Sequence, residues 1–356
     1  MSSHSVFVVS LEGKPVTPTT PAKARKLLRG GVAQPVWSKF GTFGIRLLVP
    51  TRPETPVTTL GVDQGTKFEG YAVVCGRENP LSLKVDLPDK KKIVKKVRER
   101  ATLRRARRFR KCWRRPARFD NRKRDAFLAP SQGVVVASRL KVLKALLGMF
   151  PVTLVGFEDV RFHHAKYKWG ANFSTVEIGK ARIKAFLEAA GTNVSLYRGF
   201  ETQELRQQYG YRKTSDKGAD RFEAHCSDAL TLACAVSLGE PVPPGLFLVV
   251  DDTYRAVRRR LHDTQPAPGG VRSAYSRGTV FGVRKGLLIG AANGKTGQLC
   301  GEYQGGYRYT DALGKRQSTR SLQWVSTHFR LKPQTLVAGG NHKDGVSPSI
   351  QTRPKR

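Results

Sequence analysis

The sequence predicts a mixed α/β chain interrupted by a strongly basic helix, and three observations carry that prediction. Three apolar runs separated by turn residues follow one another over 58–88. From about 133 to 238, helical apolar patterns alternate with strand-like runs. Between these halves, residues 89–124 hold 19 lysines and arginines against three acids, with no Gly or Pro from 89 to 113. At 356 residues the chain is longer than one ordinary domain, so two or three units are expected.

Taken in order, residues 1–57 read as a small N-terminal domain. Residues 6–10 form an apolar strand, Glu12-Gly13-Lys14 turns the chain, and a short basic helix runs from Pro21 to a Gly30-Gly31 stop. Strands follow near 35–36 and 43–49, and two prolines in 51–56 mark a linker. Residues 58–88 read as a three-strand meander, with strands at 58–63, 68–75 and 81–87. The basic segment 89–124 reads as one long helix that would repel itself unless phosphates surrounded it. In 125–239 the pattern gives a helix at 133–148, a strand at 152–157, a helix at 175–190 and a strand at 193–197. A short helix at 202–209 and a single helix at 222–238 complete it. Three antiparallel strands followed by βα crossovers is the order of an RNase H-like domain, here split by the basic helix. Residues 240–356 are rich in glycine with short Tyr, Phe, Val and Thr runs, and predict a small all-β module with a disordered tail.

Charge narrows the classes of function. There are 64 Lys+Arg against 27 Asp+Glu, a formal net charge of +37, which calls for a polyanionic partner. Nucleic acid is the expected one. No run approaches the roughly 20 apolar residues of a spanning helix, so no membrane partner is expected. No secretory leader is apparent, and the five cysteines form no Cys-x-x-Cys pair, so we expect a reducing cytoplasm and neither zinc ribbon nor disulfide framework.

Three acids stand at the ends of predicted elements. Asp63 ends the strand Leu60-Gly61-Val62-Asp63, and Glu158 ends Leu154-Val155-Gly156-Phe157-Glu158. Alone, each reads as a turn cap or a surface residue. In an RNase H-like order, however, their strands are parallel neighbours, so the two carboxylates meet and repel unless a cation lies between them. Asp159 competes with Glu158 but should face the other way by strand alternation. His225 and Asp228 are three apart on one predicted helix, which places both on one face. Hard oxygen ligands of this kind suit two Mg²⁺ ions, with Mn²⁺ as a substitute, and such ions cleave phosphodiesters. The expected roles are Asp63, Glu158 and Asp228 as metal ligands, and His225 as the group that orients or deprotonates the attacking water.

Gly61-Val62-Asp63-Gln64-Gly65, Arg104-Arg105-Ala106-Arg107-Arg108, Phe157-Glu158 and His225-Cys226-Ser227-Asp228-Ala229 resemble the split RuvC nuclease of the transposon-encoded IscB/IsrB family. Pro15-Val16-Thr17-Pro18 and the basic helix after it resemble that family's N-terminal PLMP domain, differing at two of the four signature positions. Only residues 159–173 separate Glu158 from the next predicted helix, which leaves no room for an HNH nuclease. The resemblance is therefore to the HNH-lacking IsrB branch. It implies residues 58–88 as RuvC segment I, 89–124 as an Arg-rich bridge helix, 125–239 as RuvC segments II and III, and 240–356 as the target-adjacent-motif-interacting domain.

The resemblance further implies a monomeric protein in a ribonucleoprotein with a large omega (guide) RNA. It would bind target double-stranded DNA and nick the displaced non-target strand. Arg100, Arg104, Arg105, Arg107, Arg108, Arg110, Lys111, Arg114 and Arg115 are the expected nucleic-acid contacts on the basic helix. Arg272, Arg277, Arg284 and Lys285 are unranked candidates in the C-terminal module, and residues 161–173 are candidates for stacking on single strands. Two other readings fit part of this pattern: a guide-independent structure-specific nuclease, and a non-catalytic RNA-binding protein.

Overall fold

The computed structural model describes residues 5–51, 54–111, 128–161, 176–177, 179–237, 239–252, 279–311, 313–326 and 330–337. The N-terminal part comprises β1 (Val6–Val9), β2 (Pro15–Thr19), α1 (Pro21–Arg29), β3 (Ala33–Trp37) and β4 (Phe43–Leu47), with sheet order β2-β1-β4-β3. Both prolines of Pro15-Val16-Thr17-Pro18 fall in β2, at the sheet edge, where a missing N–H costs no ladder bond. Thr20 caps α1 by accepting from the Lys23 N–H, and Gly30 closes it. Val6, Val8, Ala24, Ile45 and Leu47 form the core of this part.

The central part begins with β5 (Thr58–Asp63), β6 (Phe68–Cys75) and β7 (Glu78–Asp86), then α2 (Lys90–Lys111). Asp89 starts α2 by accepting from the Lys91 and Lys92 N–H groups, and Ile93 anchors its first turn in the core. There follow α3 (Pro130–Leu147), β8 (Leu154–Glu158), α4 (Lys180–Ala189), β9 (Asn193–Tyr197) and α5 (Gly199–Gln208). Next come α6 (Phe222–His225), α7 (Ser227–Val236) and β10 (Leu246–Asp251). Five strands of the central sheet run β7-β6-β5-β8-β9, antiparallel among the first three and parallel from β5 to β9. That is the strand order the sequence predicts.

Alternation along the strands sorts the two faces of this sheet. Leu60, Val62, Tyr71, Val73, Leu81 and Leu83 pack with residues of α3 and α4, including Val142, Leu146, Ile183 and Leu187. Ala72, Val74, Phe247 and Val249 pack on the opposite face with Cys226, Ala229, Leu230 and Ala233 of the α6–α7 segment. A buried ion pair, Arg139 Nε to Glu69 Oε1 at 2.5 Å, ties α3 to β6, and Tyr71 Oη donates to Glu69 Oε2 at 2.7 Å.

Two expectations change. The stretch 240–356 is not one module: β10 and β18 (Arg330–Val337) extend the central sheet to seven strands, in the order β18-β10-β7-β6-β5-β8-β9. Between them in sequence lie the hairpin β11 (Thr279–Val280) and β12 (Val283–Arg284), and a five-stranded sheet. That sheet comprises β13 (Leu288–Ala291), β14 (Thr296–Tyr303), β15 (Gly306–Asp311), β16 (Arg316–Thr319) and β17 (Leu322–Ser326), ordered β16-β15-β14-β13-β17. Hydrophobic strands such as β10 pair wherever a partner edge is open, and local sequence does not name the partner. The second change is at 222–238, where the predicted single helix is two, broken at Cys226 with φ −119° and ψ −8°. No helix among the described residues is long and apolar enough to cross a membrane.

Candidate active site

Asp63 and Glu158 reach one point because their strands are parallel neighbours in register. Val62 pairs with Phe157, so the next residue on each strand is an acid. Both side chains emerge on the face that carries α7. Thr59, on that face, donates its hydroxyl to the Ala233 carbonyl at 2.8 Å.

Asp228 joins them through a trough of glycines. A Cβ on Gly61 would lie 1.7 Å from the Ala229 carbonyl oxygen, and one on Gly156 would lie 2.5 Å from that of Leu232. On Gly70, which pairs with Asp63, it would lie 1.9 Å from the His225 carbonyl oxygen. Only the absence of these three side chains lets the end of α6 and α7 lie directly on the sheet, and that depth brings Asp228 to the strand ends. The interior glycines of Leu60-Gly61-Val62 and Val155-Gly156-Phe157, each two residues before an acid, were the sequence signal for this packing.

The three acids are electrostatically coupled. The Asp63 carboxyl is pushed well above the usual carboxylate range, first by burial, then by the charge of Glu158, a hydrogen bond shared with it, and the charge of Asp228. Lys213 offsets this in part. Asp228, only 5% exposed, is held by Arg206 Nη1 on Oδ1 at 2.5 Å and by Lys213 Nζ on Oδ2. Neither cation was singled out in the sequence. α5 begins against Glu158, whose Oε1 lies 3.4 Å from where a Cβ of Gly199 would sit. That end of a helix favours negative charge.

Asp159, next to Glu158, has a different environment. Burial would raise its carboxyl, but hydrogen bonds from Lys180 and Arg161 outweigh that and hold it below the usual range. It faces away from the cluster, as strand alternation requires.

His225 lies on the far side of the helix break. His225 ends α6 and Asp228 is in α7, so the two residues stand on separate helices that meet at Cys226. Its Nε2 lies 3.1 Å from the Ala219 carbonyl and therefore carries the proton. Its ring packs edge-on to Phe68 at 5.1 Å. Burial and the Lys84 charge lower its pKa below 6.5, while the Ala219 bond, Asp220 and Asp86 work the other way. The neighbours that set its charge are thus Lys84, Asp220 and Asp86, not the three acids.

The donor set fits divalent magnesium or manganese by chemistry, since Asp63, Glu158 and Asp228 offer only oxygen and two of them press together. As the side chains stand, no three His, Cys, Asp or Glu groups among the described residues are gathered tightly enough to hold one ion. Asp63 and Glu158 make a pair, and Asp228 spends both oxygens on Arg206 and Lys213.

Of the expected nucleic-acid contacts, Arg100, Arg104, Arg105, Arg107, Arg108, Arg110 and Lys111 lie on α2. Arg114, Arg115, Arg272, Arg277 and residues 162–173 lie outside the described residues. Arg284 is in β12, Lys285 follows it, and Arg161 pairs with Asp159.

Residues 6–180 match the family described as RRXRR protein. The RRXRR pattern occurs in this chain as Arg104-Arg105-Ala106-Arg107-Arg108, on α2. The matched span contains Asp63 and Glu158 and stops before Asp228. No curated protein matches the chain. Among solved structures, T. thermophilus RuvC in complex with a Holliday junction substrate is similar over 50% of this chain and 90% of its own. The identity is 15% and the TM-score 0.27.

Proposed function

We propose that this chain is an RNA-guided DNA endonuclease that nicks one strand at the Asp63–Glu158–Asp228 cluster. The observation that carries the reading is that Glu158 on β8 and Asp228 on α7 both act on the Asp63 carboxyl, at the ends of interior strands in an RNase H-ordered sheet. Asp63, Glu158 and Asp228 would hold two Mg²⁺ ions, or Mn²⁺ in their place. Such ions, when bound, supply a water acidic enough to attack at neutral pH and charge to offset that of the phosphate.

The chain's own groups do the rest. Asp63 and Glu158 are set by strand register and cannot drift apart without breaking the β5–β8 ladder. His225, whose pKa burial and Lys84 lower, would accept a proton from the attacking water only after its ring leaves Ala219 and turns toward the three acids. The α2 helix, 22 residues with no acid in its first turn, tracks phosphates without reading bases. Sequence choice then falls to base pairing with an omega RNA bound in the same particle. A single carboxylate cluster accounts for one cut per engagement, on the displaced non-target strand of the target DNA. We place the protein in the cytoplasm, as one copy per ribonucleoprotein.

The test is plasmid relaxation with Mg²⁺ and the RNA transcribed beside the gene. The expected product is open circle without linear DNA. Asp63→Ala, Glu158→Ala and Asp228→Ala should each cut the nicking rate by about 10³-fold or more while RNA-directed DNA binding persists. Nicking that survives removal of RNA would favour the guide-independent nuclease instead. Loss of binding in all three variants would place these acids in the fold rather than the chemistry.

A further inference from the structure

The two cations on Asp228 are not equivalent. Arg206 projects from α5, which packs on α7, and its side chain is 14% exposed. Lys213 stands in the segment between α5 and α6, and its side chain is 38% exposed. Lys213 also lies close enough to Asp63 to pull its carboxyl down against the effect of burial. One ammonium on a flexible stem therefore touches one candidate ligand, influences a second, and remains open to solvent. A counter-ion that serves only the fold looks different: Arg139 and Glu69 are both fully buried, and Arg139 also donates to the Gly65 carbonyl at 3.1 Å.

Resting on the nuclease reading above, we propose that Lys213 is a catalytic residue that covers Asp228 until DNA arrives and then moves to a non-bridging oxygen of the scissile phosphate. A lysine and a divalent cation compete for the same carboxylate oxygen, and a phosphate entering the site offers the lysine an equivalent anion. The exchange makes and breaks no covalent bond. It frees Asp228 Oδ2 for metal and delivers a positive charge to the oxygen where negative charge grows during attack. Arg206 stays on Oδ1 and keeps the carboxylate aimed, which makes it a positioning residue. The segment that carries Lys213 is itself anchored, because the Ser227 hydroxyl donates to the Arg212 carbonyl at 2.6 Å.

Two measurements on the full-length protein test this together. Mn²⁺ binding, followed by electron paramagnetic resonance without nucleic acid, should tighten roughly tenfold in Lys213→Met, because the competitor is gone. The nicking rate at saturating metal should fall about 10²-fold, the usual loss on removing one charge donor to a transition state, and Lys213→Arg should recover part of it. Thermal melting checks folding, and Lys213→Gln serves the same titration if Lys213→Met unfolds. Unchanged or weaker Mn²⁺ binding would overturn the exchange. Tighter binding with a wild-type nicking rate would make Lys213 a bystander charge. The nuclease reading fails separately, if wild-type protein with its RNA never nicks, whereas the exchange on Asp228 is read by the Mn²⁺ titration alone.

Discussion

Two carboxylate groups, one buried and one part-buried, sit on adjacent strands of the same sheet and are treated in opposite ways. Glu69 on β6, 1% exposed, faces Arg139 and Tyr71, which satisfy it completely. Burial still raises its pKa, yet a guanidinium and a phenol offset the cost. Asp63 on β5 has another acid, Glu158, as its hydrogen-bond partner and a third, Asp228, nearby. The first group pins α3 to the sheet. The second keeps like charges together and gains nothing for the fold by doing so. Carboxylates that oppose folding while lying at the ends of well-formed strands mark a site kept for chemistry.

The comparison breaks most visibly at its two centres, with opposite signs. Arg139→Met leaves Glu69 and Tyr71 buried without their cation, and should cost about 3–5 kcal/mol of stability by denaturant unfolding. Asp63→Asn removes a repelling charge, and should raise stability by about 1 kcal/mol while abolishing nicking. Destabilisation by Asp63→Asn would show that the acid pair supports the fold after all.

A smaller effect tests how the third acid is placed. Gly61→Ala puts a methyl group into the Ala229 carbonyl, so α7 must lift from the sheet. We expect a loss of about 1–3 kcal/mol and a larger proportional loss of nicking, because Asp228 moves with the helix. Full activity with lowered stability would mean that the depth of α7 does not set the site.

The smallest effect decides which group His225 belongs to. Its pKa in the fold lies below 6.5, so the unfolded chain takes up the proton first as pH falls. Stability should therefore decline as pH drops below 6.5, by under about 1 kcal/mol, and His225→Gln should flatten that slope. If His225→Gln also nicks at the wild-type rate, His225 sides with Lys84, Asp220 and Asp86 as part of the fold.

Much of the fold was legible locally. β5, β6 and β9 fall where alternation and turn residues place them, and Asp89 starts α2 as a capping acid should. The acids Asp63 and Glu158 were legible too, since each ends an apolar run. The break between His225 and Asp228 was not legible, because a three-residue spacing assumes an unbroken helix and the segment divides at Cys226, where the His225 carbonyl lies against Gly70 on the sheet. Lys213 and Arg206 were missed because nothing distinguishes them from the other basic residues until their partner is known.

By itself the sequence determined the order of strands and helices, the basic character of α2, and which acids end which strands, because these follow from periodicity and charge along the chain. Only the tertiary structure decided that β10 and β18 join the central sheet, that α7 sinks into a glycine trough, and that Asp228 meets Arg206 and Lys213. Those are contacts between residues far apart in sequence. Their energies depend on which surfaces are left to pair once the rest of the chain has packed.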